Sequence, residues 1–91
     1  MTVNNILLLE DKLASAKNTD RLNILMDLAK SCLHTYPAKT VIYAKESVDL
    51  SKLLNDYATH AEAYRYMGNG CVLQGELAGA ISHFSESLKI E

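Results

Sequence analysis

Two cysteines and three histidines are the residues of this chain that could bind a metal or supply a soft nucleophile. A zinc-type site needs ligands that converge, and CxxC or HxxxH spacing signals it because residues three or four apart share a helix face or flank a tight turn. Cys32 and His34 are two apart, which on a helix sends them to different sides. His60, Cys71 and His83 show no ligand spacing toward one another. The cysteines read instead as small buried thiols, and no metal or other cofactor is expected.

Acid–base and nucleophilic chemistry fare no better. Glu10 and Asp11 are adjacent, and Glu46 and Asp49 are flanked by Lys45 and Lys52, which is the pattern of solvated helix faces. Ser82-His83 and Ser85-Glu86 follow one another on one stretch of helix, where no triad geometry forms. The segment "MGNGC", Met67–Cys71, has the glycine content of a phosphate loop but lacks the preceding strand that such a loop requires. No enzyme activity is expected.

What positions these residues is helix. In 91 residues there are one proline and four glycines, and no strand-like alternation persists. Five helices are predicted. The first spans about Val3–Lys17, with Ile6, Leu9 and Leu13 at helical spacing. The second spans about Asp20–His34, with Asn18, Thr19 or Asp20 as its N-cap and two apolar stripes: Leu22, Leu25, Ala29 and Cys32, then Ile24 and Leu28. The third has Pro37 in its first turn and runs to about Leu54, where Asn55 offers a C-cap. The fourth spans about Ala58–Leu73 and ends at Gly75; the fifth starts near Glu76 and is still helical in pattern at Glu91. Short connections make successive helices antiparallel neighbours.

Composition narrows the class. Hydrophobic residues make up 48% and charged residues 22%, ordinary for a globular domain, and a chain this short buries only roughly 60–65% of its unfolded surface. The net charge is -2 and the basic residues form no stripe, which argues against nucleic acid. No apolar run is long enough to cross a membrane, and the start "MTVNNILLLED" has no basic segment ahead of its apolar patch, so a cytoplasmic protein with reduced thiols is expected.

The second and third helices are echoed by the fourth and fifth. Ala29 and Gly68 lie 39 residues apart, as do Cys32 and Cys71; Ala44 and Phe84, Ser47 and Ser87, and Val48 and Leu88 lie 40 apart. A glycine inside the fourth helix costs roughly 1 kcal/mol of helix propensity, which predicts a paired helix packed close against Gly68, near Ala80 or Phe84. Residues 61–91 resemble the tetratricopeptide repeat in the order and spacing of Ala61, Tyr64, Met67-Gly68, Gly75, Ala80, Phe84 and Ser87-Leu88. Cys71 stands where that family usually has an aromatic residue, and Ser87 where it usually has alanine. Leu25, Leu28-Ala29, Cys32, Ala44 and Ser47-Val48 look like a weaker copy, with the surplus over the family's usual period falling between Val48 and Gly68.

The resemblance implies an all-α fold of antiparallel helix pairs stacked as a right-handed superhelix. One domain is expected: a cap helix over residues 1–18, a divergent repeat over 19–55 and a second repeat over 56–91. It also implies a non-catalytic module that binds a protein or peptide, or alternatively an N-terminal sensory or regulatory domain of a larger signalling protein such as a kinase or nucleotide cyclase. Glu62, Arg65, Asn69 and Leu73 fall on one face of the fourth helix, and Asn23, Met26 and Lys30 on the corresponding face of the second. In the family this face lines the concave groove, and Arg65 with Asn69 resembles the pair that grips a peptide carboxylate in clamp-type members. The fifth helix carries no stop signal, and Ile81, Leu88 and Ile90 are expected to form a self-association face or to take further repeats, making a homo-oligomer of the isolated chain.

Overall fold

The structure, a computed structural model, describes residues 3–90, with side chains from residue 5. Met1, Thr2 and Glu91, which the sequence places in the cap segment and at the end of the last helix, lie outside the described residues. Five helices follow in order: α1 (Val3–Leu13), α2 (Asn18–Cys32), α3 (Pro37–Leu53), α4 (Tyr57–Leu73) and α5 (Leu77–Ile90). No strand occurs among the described residues.

The helix ends follow local chemistry. Pro37 opens α3, where its missing N–H removes no helical bond. Asn55 (φ 57°) and Gly75 (φ 79°) both take the left-handed backbone just past a helix. The two turns close alike: Asn55 N donates to Lys52 O and Asp56 N to Ser51 O, as Gly75 N does to Val72 O and Glu76 N to Cys71 O. Three expected boundaries move, the end of α1 and both ends of α2, which closes at Cys32 rather than His34. α1 stops at Leu13 rather than Lys17: Ala14, Ser15 and Ala16 N donate three residues back, to Asp11, Lys12 and Leu13 O, so the last turn tightens, and Leu13 O also accepts from the Arg21 guanidinium at 2.9 Å. No side chain caps α2: Lys17 precedes it, and Asn18 enters at φ 56°, a conformation asparagine tolerates.

Asp56 caps α4. Its carboxylate accepts from the Thr59 N–H at 3.1 Å and from the Thr59 hydroxyl at 2.7 Å, and these bonds hold its pKa below the ordinary aspartate value. Asp56→Ala should cost about 1 kcal/mol in denaturant unfolding. Because the folded carboxyl is the stronger acid, the cap's contribution is complete above the unfolded aspartate pKa of about 4 and is lost as pH falls through the lower folded value. The stability difference between wild type and Asp56→Ala should therefore shrink on acidification; a difference that is flat or grows below pH 4 refutes the assignment.

Contacts between successive helices pair early residues of one with late residues of the next, so every hairpin is antiparallel. Arg21 Nε bonds Glu46 at 2.6 Å and Thr40 Oγ1 donates to Ala29 O at 2.8 Å. His60 Nδ1 lies 3.0 Å from Val48 O, and Ser87 Oγ donates to Ala61 O at 2.9 Å. The Cα envelope is 32 × 30 × 15 Å, and its short axis matches two helix layers at the usual spacing of about 10 Å. The main core joins Leu22, Met26 and Ala29 of α2, Ala44 and Val48 of α3, and Ala63 and Met67 of α4. Tyr64 and Tyr66 both pack against it, although they are two apart, because α4 has neighbours on more than one side.

Those neighbours also explain the glycines of α4. A Cβ on Gly68 would stand 2.6 Å from Phe84 Cε1, so α5 packs where the spacing predicted. A Cβ on Gly70 would stand 2.7 Å from Val41 Cγ2 and 3.1 Å from the Pro37 carbonyl oxygen. Residues two apart point to nearly opposite sides of a helix. Gly68 therefore admits α5 and Gly70 admits α3.

The first helix is a lid on α2. Ile6, Leu9 and Leu13 pack against Ile24, Leu28 and Cys32. At its outer edge the Glu10 carboxylate accepts from the Tyr43 hydroxyl and, at 3.3 Å, from Lys39 Nζ. The Tyr43 bond holds the Glu10 pKa below the usual carboxylate range, and burial followed by the Glu10 bond pushes the Tyr43 hydroxyl well up.

Candidate partner-binding surfaces

Cys32, Cys71, His60 and His83 are spent on packing, whereas His34, Asp11, Ser82 and Ser85 are exposed. Cys32 and Cys71 are free, buried thiols, and burial raises the pKa of both, so they stay in the unreactive protonated form. The His60 ring meets Tyr64 edge-on at 5.3 Å, and Tyr64 stacks on His83 at 6.2 Å, closing the seam between α4 and α5. Ser51 Oγ lies 3.2 Å from His60 Nδ1, the distance of a nucleophile from its base. Ser51 is fully buried, however, and its hydroxyl donates to Val48 O at 3.1 Å, so no substrate reaches it. Among the described residues no group of three or more His, Cys, Asp or Glu is arranged to hold a metal, and no helix is long and apolar enough to cross a membrane.

Of the expected groove, the structure brings together Lys30, Glu62 and Arg65. Lys30 Nζ lies 4.0 Å from Glu62, and the Arg65 guanidinium lies 3.8 Å from the same carboxylate. Asn69 and Leu73 continue along α4 as exposed residues, and Asn23 is exposed beside Lys12, Asp20 and Ile24 in an open hollow where α1 gives way to α2. Met26 is a correction. It is 5% exposed and part of the main core, so it lines no groove. It was misplaced because α4 lies across α2 at this point, and a single helix's spacing cannot show where a third helix crosses it.

The face of α5 is the larger feature. Leu77, Ile81 and Leu88 are 63%, 68% and 73% exposed. They recur at intervals of four and seven, so they share one side of the helix. Ile90, expected on this face, is half-buried instead. Leu77 was missed in the sequence, although it stands one turn before Ile81 and carries the same signal. Val72 and Leu73, also exposed, end α4 close to the start of α5. Comparison with protein-family models, with curated proteins and with solved structures finds no match.

Proposed function

We propose that the chain is a protein-interaction module of the tetratricopeptide type: a cap helix and two elongated repeats of a right-handed superhelix, binding a protein or peptide without chemistry of its own. The observation that carries this reading is the exposed apolar side of α5, with Leu77, Ile81 and Leu88 all more than three-fifths open. Leaving three large side chains in water costs roughly 1.5–3 kcal/mol each relative to full burial, and a partner recovers that cost. The paired cations of the α2/α4 side support a secondary role for the groove: Glu62 already answers Lys30 and Arg65, so an incoming carboxylate must compete with it. The buried free thiols support a reducing, cytoplasmic setting. Self-association through α5 is one form the interaction can take.

The test compares wild type with Ile81→Asp/Leu88→Asp. Both positions are exposed, so the variant should keep its helical circular dichroism and its melting temperature. Wild type, as bait in cell extract or in sedimentation at tens of micromolar, should show an association that the variant loses. Identical behaviour of the two refutes the reading, whereas loss only on Arg65→Ala moves the site to the groove.

A further inference from the structure

The apolar contacts divide the molecule into two unequal parts. The main core draws on α2, α3 and α4 and contains no described residue of α1. α1 belongs to a separate cluster, to which it contributes one fully buried side chain among the described residues, Ile6. Leu9 and Leu13 are half-buried, and Leu7 and Leu8 are more than half exposed. Among the described helices α2 is the one packed along α1, whereas α4 has α3 and α5 beside it and meets α2 as well. Removing α1 therefore uncovers Ile24, Leu28 and Cys32 but leaves the main core whole. A helix of 11 residues has little stability of its own in water, so α1 owes its helical form to docking.

The polar bonds are laid out to the same effect. Beyond Leu13 the connection holds itself by three successive bonds of 3.3, 3.4 and 3.3 Å to carbonyls three residues back, and Asn18 then turns into α2 at φ 56°. Ala14, Ser15, Lys17 and Asn18 are all exposed. α1 is fastened to α2 by Leu13 O, which accepts from Arg21 at 2.9 Å, and to α3 by Glu10, which accepts from the Tyr43 hydroxyl and, at 3.3 Å, from Lys39 Nζ. Releasing these bonds strands no polar group in a dry interior. Arg21 keeps Glu46 at 2.6 Å, and Lys39 stays over the Tyr36 ring at 5.3 Å. Glu10 is already half in water, and the Tyr43 hydroxyl, at the outer edge of the contact, passes to water when Glu10 leaves.

We propose that α1 is a lid that leaves α2 as a unit while α2–α5 stay folded, with the Glu10–Tyr43 bond as its latch. Elements held by few buried contacts open at lower free energy than the whole fold. The opening presents the strip Ile24, Leu28 and Cys32, closure hides it, and the device works independently of whatever occupies the α5 face.

Cys32 reports the opening, because it is fully buried in the cluster with Ile6 and reacts with a thiol reagent when that cover is gone. The intact chain is treated with N-ethylmaleimide in native buffer, and mass spectrometry reads Cys32 and Cys71 separately. Cys32 should be modified while most of the helical circular dichroism persists. Tyr43→Phe, which keeps the packed ring, and Glu10→Gln should each raise the Cys32 rate about tenfold and leave the Cys71 rate alone. Asp56→Ala, which removes the α4 cap, should leave the Cys32 rate unchanged. A Cys32 rate that rises with Asp56→Ala shows exposure by global unfolding and overturns the proposal. A rate indifferent to Tyr43→Phe and Glu10→Gln overturns it too, as does a Cys32 left unmodified until the whole chain unfolds.

Discussion

Gly70→Leu is expected to lower the unfolding free energy by about 3 kcal/mol, equivalent to a fall of about 12–24 °C in melting temperature for a chain of this size. The first atom added, Cβ, already meets Val41 Cγ2 at 2.7 Å and the Pro37 carbonyl oxygen at 3.1 Å. Neither neighbour can step aside cheaply. Val41 is β-branched, so its χ1 is nearly fixed in a helix. The Pro37 carbonyl belongs to the first turn of α3, where movement drags the helix start. Gly70→Ala isolates the contact: it gains roughly 1 kcal/mol of helix propensity and must still come out destabilising. At Gly68 the obstacle is the ring of Phe84, a half-buried side chain that can tilt toward solvent. Gly68→Ala should therefore be near neutral, and Gly68→Leu should cost about 1–3 kcal/mol. Thermal and denaturant melts of the four variants decide the matter. If the Gly70 pair proves no worse than the Gly68 pair, α3 and α4 are not as close as these distances require.

The two glycines also show what was legible in the sequence and what was not. Gly68 was found because its partner falls within the same repeat: the 39-residue match to Ala29 and the nearby Phe84 made close packing of α4 on α5 the simplest account. Gly70 gave no such signal, since its partners Val41 and Pro37 belong to the preceding pair. Helix existence, order and most ends were readable from Pro37, Asn55 and Gly75, whose backbone preferences act locally. The bonds between elements were not. Glu10 with Tyr43, and Arg21 with Glu46, join residues far apart in the chain, and surface-like residue types conceal them. The Asp56 cap is hidden for a different reason: Asn55 beside it already marks the end of one helix, and the adjacent residue that starts the next is masked by that signal. The apolar face of α5 is legible in Ile81 and Leu88 because no other described helix covers that side, which keeps its amphipathic pattern in view.

Met26→Ala should cost about 2–5 kcal/mol, a large share of the roughly 5–14 kcal/mol available to a domain of this length. By spacing alone Met26 shares a helix face with Asn23 and Lys30, and truncating a groove residue on an exposed face would change stability by no more than about 0.5 kcal/mol. In the folded chain Met26 is enclosed with Leu22, Ala29, Ala44, Val48, Ala63 and Met67, and the alanine leaves a cavity among residues from three helices. Met26→Leu, which keeps the volume, should cost less than about 1.5 kcal/mol. Arg65, 39 residues on, provides the matched contrast: it has the same place in its helix pair, is exposed, and makes one long ion pair with Glu62. Arg65→Ala should leave the melting temperature nearly unchanged. Position within a pair thus does not decide burial; the helix lying over the pair does, and Met26 has α4 above it. Denaturant unfolding of Met26→Ala, Met26→Leu and Arg65→Ala measures this directly. A Met26→Ala loss as small as that of Arg65→Ala would mean that α4 does not cover α2 at this turn, and would return Met26 to the open surface.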